Sequence, residues 1–108
     1  MSNESVELMH DAYERLKSRG LSSYSKADFK GAQAYLLMLD LDVRVRKVTL
    51  KGYRPNYIVS YNGRNYNGSK ITKFDKMANH FQRNHAEIEV LYIAMKYFER
   101  AELIKSQK

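Results

Sequence analysis

The 108-residue chain is expected to fold as a single α+β domain, residues 1–108. The expected order is two N-terminal helices, a three-stranded antiparallel meander with an Asn-Gly hairpin, then one or two C-terminal helices packed on one face of the sheet. Three observations predict this. Apolar residues recur at helical spacing up to Leu39, the pattern switches to strict alternation at Leu41, and Asn62-Gly63 separates two alternating runs. A chain of this size buries roughly two-thirds of the surface its unfolded form exposes. With 44% apolar and 12% aromatic residues, it has the material for a core.

In the first segment Val6, Met9, Tyr13 and Leu16 step by three, four and three, so they share a helix face. Glu4 and Glu7 open that helix, and Arg15, Lys17 and Arg19 close it, matching the helix dipole at both ends. Gly20 supplies a left-handed position after the last turn, with Leu21 able to pack back on it. A second helix starts at Ser25, whose hydroxyl caps the first turn while Asp28 reaches back, as in a capping box. Phe29, Ala32, Leu36 and Leu39 form its apolar stripe, with Tyr35 and Met38 beside it. Gly31 weakens this helix by roughly 1 kcal/mol relative to alanine, unless a neighbouring element needs the space.

From Leu41 the chain alternates. Leu41, Val43 and Val45 fall on one side and Asp42, Arg44 and Arg46 on the other, and the phase slips by one at Lys47 before Val48 and Leu50. A one-residue slip predicts a β-bulge, which keeps Val48 and Leu50 on the core side. The glycine and proline of residues 51–56 mark a loop. The stretch NYIVSYNGRNYNG, residues 56–68, then reads as a hairpin turning at Asn62-Gly63, because both residues tolerate the positive φ of a type I′ turn. That register places Tyr57, Val59, Tyr61, Arg64 and Tyr66 on one face. The tyrosines suit either the core rim or a stacking platform for bases, and Val59 in their midst favours the core. Thr72 with Asp75 offers a further cap, followed by the stripe Phe74, Met77, Ala78 and Phe81, and Asn84 with Glu87 marks a break or bend. The last segment, from Ile88 to Phe98, is apolar on most sides and is expected to be the central helix of the core.

Charge is the most informative property. The net +7 is confined to the middle of the chain. Residues 1–42 carry five Lys/Arg against seven Asp/Glu, residues 43–84 ten against one, and residues 85–108 four against four. Such clustering creates a local field that attracts polyanions. Enzyme signatures are missing: there is no phosphate-binding glycine loop or nucleophile elbow, and Asp75 is the one acid of the basic segment. His80 and His85 are five apart, a poor spacing for a shared metal, and His85 with Glu89 suits a surface hydrogen bond. No catalytic residue, cofactor or metal is therefore expected. With no cysteine, no signal-peptide pattern and no apolar run near the ~20 residues a membrane helix needs, the expected setting is the cytoplasm.

The outward sheet face is expected to carry Arg44, Arg46, Thr49, Lys51, Asn56, Ser60, Asn65 and Asn67, without an acid. Guanidinium, amide and hydroxyl groups suit phosphate contact, and Arg and Asn also bond base edges. Lys70, Lys73 and Lys76 flank the predicted start of the third helix, where free N–H groups favour phosphate. Arg54 and Arg64 complete the candidate nucleic-acid set: Arg44, Arg46, Lys51, Arg54, Arg64, Asn65, Asn67, Lys70, Lys73 and Lys76. Over residues 43 to about 83, three strands followed by a helix, with a basic outward face, resemble the sheet-reading domains of plant ethylene-response factors and the arm-binding domains of tyrosine integrases. The element order is also similar to that of double-stranded-RNA-binding domains. The expectation is a small non-catalytic DNA- or RNA-binding protein. The alternative is a phage- or mobile-element-type inhibitor or adaptor that docks on an acidic or nucleic-acid-processing protein.

Overall fold

A computed structural model describes residues 3–49, 51–52, 55–64, 70–71, 77–80 and 82–106. Helix α1 spans Asn3–Arg19 and buries Met9, Ala12, Tyr13 and Leu16, with Val6 packed against the same core. Its end follows from Gly20, whose N–H donates to the Leu16 carbonyl at 2.7 Å and whose φ of 96° would strain any other residue. The ψ of 149° makes this an extended exit rather than a left-handed cap. A short 3-10 turn, Leu21–Ser23, follows directly, and Leu21 packs on the core.

Helix α2, Lys26–Met38, begins with the capping box its sequence predicts. The Asp28 N–H donates to Ser25 Oγ at 3.2 Å, and the Ser25 N–H donates to Asp28 Oδ2 at 3.0 Å. The Asp28 carboxylate, 3% exposed, also accepts a bond from the Arg15 guanidinium, which ties α1 to α2. Ala32, Tyr35 and Leu36 are buried, whereas Met38 and Leu39 are exposed. Leu39 therefore lies beyond the stripe expected to include it, because α2 ends at Met38 and Asp40, at φ 65°, turns the chain into the sheet. Gly31 is buried against α1, and a Cβ placed on it would meet Leu8 Cβ at 3.7 Å, an ordinary contact. Gly31→Ala is therefore expected to stabilise the fold by up to about 1 kcal/mol. The urea midpoint of the variant measures it directly.

Strand β1, Leu41–Val48, pairs antiparallel with β2, Asn56–Arg64, in an unbroken register from Leu41↔Gly63 to Val48↔Asn56. Two expectations are corrected here. There is no bulge at Lys47, which stands opposite Tyr57, so Val48 continues in the phase of Arg44 and Arg46. Asn62-Gly63 is not a turn but part of β2, opposite Asp42 and Leu41. Two short strands, β3 (Lys70–Ile71) and β4 (Met77–His80), pair antiparallel with β2 on its other edge. The sheet thus has four strand segments rather than the three expected. The helix predicted from Thr72 is also overturned, since Met77 and Ala78 of its stripe lie in β4, and Phe74 and Phe81 lie outside the described residues. With it goes the likeness in element order to strand-strand-strand-helix domains.

Helix α3, Arg83–Ser106, starts before Asn84 and runs without a break. It packs against α1, α2, β1, β2 and β4, burying Ala86, Val90, Leu91, Ala94 and Phe98. Phe98 meets the rings of Tyr13 at 5.1 Å and Tyr35 at 5.9 Å. The Tyr13 hydroxyl donates to Glu99 Oε2 at 2.7 Å and accepts from Lys17 Nζ at 3.0 Å, fastening α1 to α3. The helix is central, as expected, but one flank is open: Tyr92 is 51% exposed, and residues 99–106 are all exposed.

Tyr24 anchors the connector by donating to Glu87 Oε1 at 2.6 Å. Burial, with the bond to Glu87 second, pushes its phenol up to about 12. The folded state favours the neutral phenol, so this contribution is complete below the ordinary value near 10. It is lost as pH rises from there through about 12. The melting temperature of the wild type is expected to fall more across that window than that of Tyr24→Phe.

Candidate nucleic-acid interface

The register defines two sheet faces. Val43 and Val59 are buried, and Leu41, Val45 and Tyr57 pack against the same core, so the helices lie on this face. Side chains in the alternate phase point away from it. These are Asp42, Arg44, Arg46 and Val48 on β1, with Ser60, Ile58 and Asn56 of β2 opposite the last three. Arg44 and Arg46 are exposed, while Val48, Asn56, Ile58 and Ser60 are half-buried.

The geometry changes the expected composition of this face in two ways. It contains an acid, because Arg44 Nε donates to Asp42 Oδ1 at 3.0 Å. That bond raises the Arg44 guanidinium above its ordinary value, and phosphate would have to share it with Asp42. Arg46 has no hydrogen bond or ion pair among the described residues, and Ile58 is its register partner. The face also has an apolar centre: Val48, which the predicted bulge had moved to the core side, and Ile58, which alternates with Asn56 and Ser60. Unbroken counting from Leu41 was the signal that would have put Val48 on this face, and the same alternation already set Asp42 beside Arg44 and Arg46.

Lys51 lies in the turn after β1, beside Gly52 at φ 85°, and is exposed. Arg64 and Lys70 are placed by their backbones and stand opposite one another in the β2–β3 register. Lys70 belongs to a strand, so no helix N-terminus adjoins it. Arg54, Asn65, Asn67, Lys73 and Lys76, together with Tyr66, lie outside the described residues. The structure therefore brings Arg44 and Arg46 onto one exposed face and places Lys51 in the turn that follows their strand. Of the tyrosines, Tyr57 packs on the core side, with the Arg83 guanidinium 5.4 Å from its ring.

The histidine expected to pair with Glu89 was His85. His80 does so instead, with Nε2 and Glu89 Oε1 2.5 Å apart and both side chains 25% exposed. The pairing crosses from β4 to α3. Among the described residues no three His, Asp or Glu side chains gather as a metal site, and no helix is long and apolar enough to cross a membrane. No family model, curated protein or solved structure matches the chain.

Proposed function

We propose that the chain is a small non-catalytic nucleic-acid-binding protein that holds phosphates against the helix-free face of its sheet. The observation that carries this reading is Arg44 and Arg46, exposed side by side on that face, within a segment of ten Lys/Arg and one Asp/Glu. Arg46 is the principal contact because no acid among the described residues competes for it. Arg44 contributes after exchanging its bond to Asp42. Lys51, Arg54, Arg64, Lys70, Lys73 and Lys76 add charge by virtue of the same segment, and Asn65 and Asn67 are candidate base readers. The half-buried Val48 and Ile58 offer apolar contact to sugars or bases between the cations.

The competing reading, a protein-binding inhibitor or adaptor, draws support from exposed apolar side chains on the helices. Leu37 is 60% exposed and Leu103 is 59% exposed. Fluorescence anisotropy with duplex DNA, single-stranded DNA and RNA across a range of salt separates the two. Nucleic-acid binding is expected to give a log–log salt slope near −0.9 per phosphate on duplex, so that roughly three to six contacts are read from it. Absence of binding to all three polymers at low salt would instead favour the protein-binding reading.

A further inference from the structure

Strand β1 is an edge strand, with β2 on one side and no strand partner on the other among the described residues. Which backbone groups lie on the open edge follows from one bond. Gln33 Nε2 of α2 donates to the Val43 carbonyl at 3.0 Å, so Val43 directs its polar groups away from β2. In an antiparallel ladder alternate residues do the same. Leu41, Val45 and Lys47 therefore also present their N–H and C=O groups to the open edge.

Alongside that edge runs a groove of about 380 Å³, lined by Gln33, Ala34 and Leu37 of α2 and by residues 42–45 of β1. Ala34 and Leu37 are exposed on its α2 wall. A strand laid in the groove would continue the sheet, and its core-side residues would cover Leu37. Exposed edges of this kind are templates for pairing with another chain.

We infer that the occupant is a second copy of β1, paired antiparallel about a two-fold axis at Val43. The charges select it. In that register Asp42 of each copy stands directly opposite Arg44 of the other, Leu41 opposite Val45, and Val43 opposite itself. Two opposite-charge pairs form on the outer face, and apolar residues meet on the inner face beside Ala34 and Leu37. Moving the axis to Asp42 opposes two acids, moving it to Arg44 opposes two arginines although it pairs Asp42 with Arg46 twice, and moving it to Val45 opposes Arg44 to Arg46 twice. Only the Val43 axis forms opposite-charge pairs within β1 with no like-charge pair. Like charges directly opposite one another destabilise a ladder, so the Val43 axis is favoured over each neighbour. Gln33 occupies the Val43 carbonyl in the free chain and yields it to the N–H of the partner's Val43. The pairing engages the edge of β1 and the Arg44 side chain, which the proposed nucleic-acid face also uses, and it leaves Arg46 on the open face.

Charge swapping tests the register. Sedimentation equilibrium from low to high micromolar concentration is expected to show a monomer–dimer equilibrium for the wild type. Arg44→Asp turns both cross-strand pairs repulsive and is expected to weaken dimerisation roughly tenfold or more. The double variant Asp42→Arg/Arg44→Asp restores complementarity and is expected to recover it. Circular dichroism spectra and melts show whether each variant folds, and the double variant keeps the test decisive if the single one does not. A wild type monomeric at every concentration, a dimer indifferent to Arg44→Asp, or a double variant that folds without associating would overturn the proposal.

Discussion

Replacing Asp28 by alanine is expected to destabilise the protein by about 2–4 kcal/mol, a large part of a stability near 5–15 kcal/mol. The carboxylate is 3% exposed and serves two helices at once. It accepts from the Ser25 N–H to close the capping box, and from the Arg15 guanidinium to hold α1 on α2. Its own N–H donates to the Ser25 hydroxyl oxygen. Ser25→Ala removes only that hydroxyl and is expected to cost about 1 kcal/mol. Arg15→Ala removes a side chain 42% exposed and leaves the box intact, so its cost is also the smaller one. Urea denaturation of the three variants ranks them. A loss for Asp28→Ala no larger than for Ser25→Ala would show that the bond to Arg15 contributes nothing.

Reversing Arg44 and Arg46 together to glutamate is expected to weaken nucleic-acid binding about 100-fold at physiological salt. Each phosphate contact is worth roughly five- to tenfold there, and the salt slope should fall by about two units. The two arginines are not equivalent. Arg46→Glu removes a cation with no acidic partner among the described residues. Arg44→Glu removes one already bonded to Asp42, so Arg46→Glu is expected to produce the larger loss of the two. Stability should change little, because both side chains are exposed and neither packs in the core. Anisotropy titrations of the single and double variants, with melts alongside, measure both effects. Equal losses for the two arginines would mean that Asp42 does not compete with phosphate.

Local signals were legible in the chain. The Ser25–Asp28 box and the Val6–Leu16 stripe depend on residues within one or two turns of each other, and both stand in the structure as spaced. What failed was decided at longer range. Lys47 shares the core-side phase of Val43 and Val45, yet it is exposed and stands opposite Tyr57. A charge is tolerated in that phase without a bulge. The Asn62-Gly63 signal was overridden because β1 begins at Leu41 and pairs with β2 as far as Gly63. Met77 and Ala78 fit a helical stripe as well as they fit β4, and short apolar runs do not separate the two. The second edge of β2 decided the matter. His85 and Glu89 have helical spacing, but Glu89 met His80 because β4 packs against α3.

For the candidate face the sequence carried the charge and its sign, and the strand register was needed to see that Val48 shares the surface with it. Asp42 and Ile58 are as much part of that face as Arg46. On the proposed function a polyanion lies on this face and not on the helices. Amide chemical-shift mapping of the isotope-labelled protein, titrated with whichever polymer it binds, tests it most directly. The largest changes are expected at Arg44, Arg46, Ile58 and Ser60 and in the turn at Lys51-Gly52, with α1 and the exposed flank of α3 unmoved. Changes concentrated on the helices, with the strands silent, would contradict it.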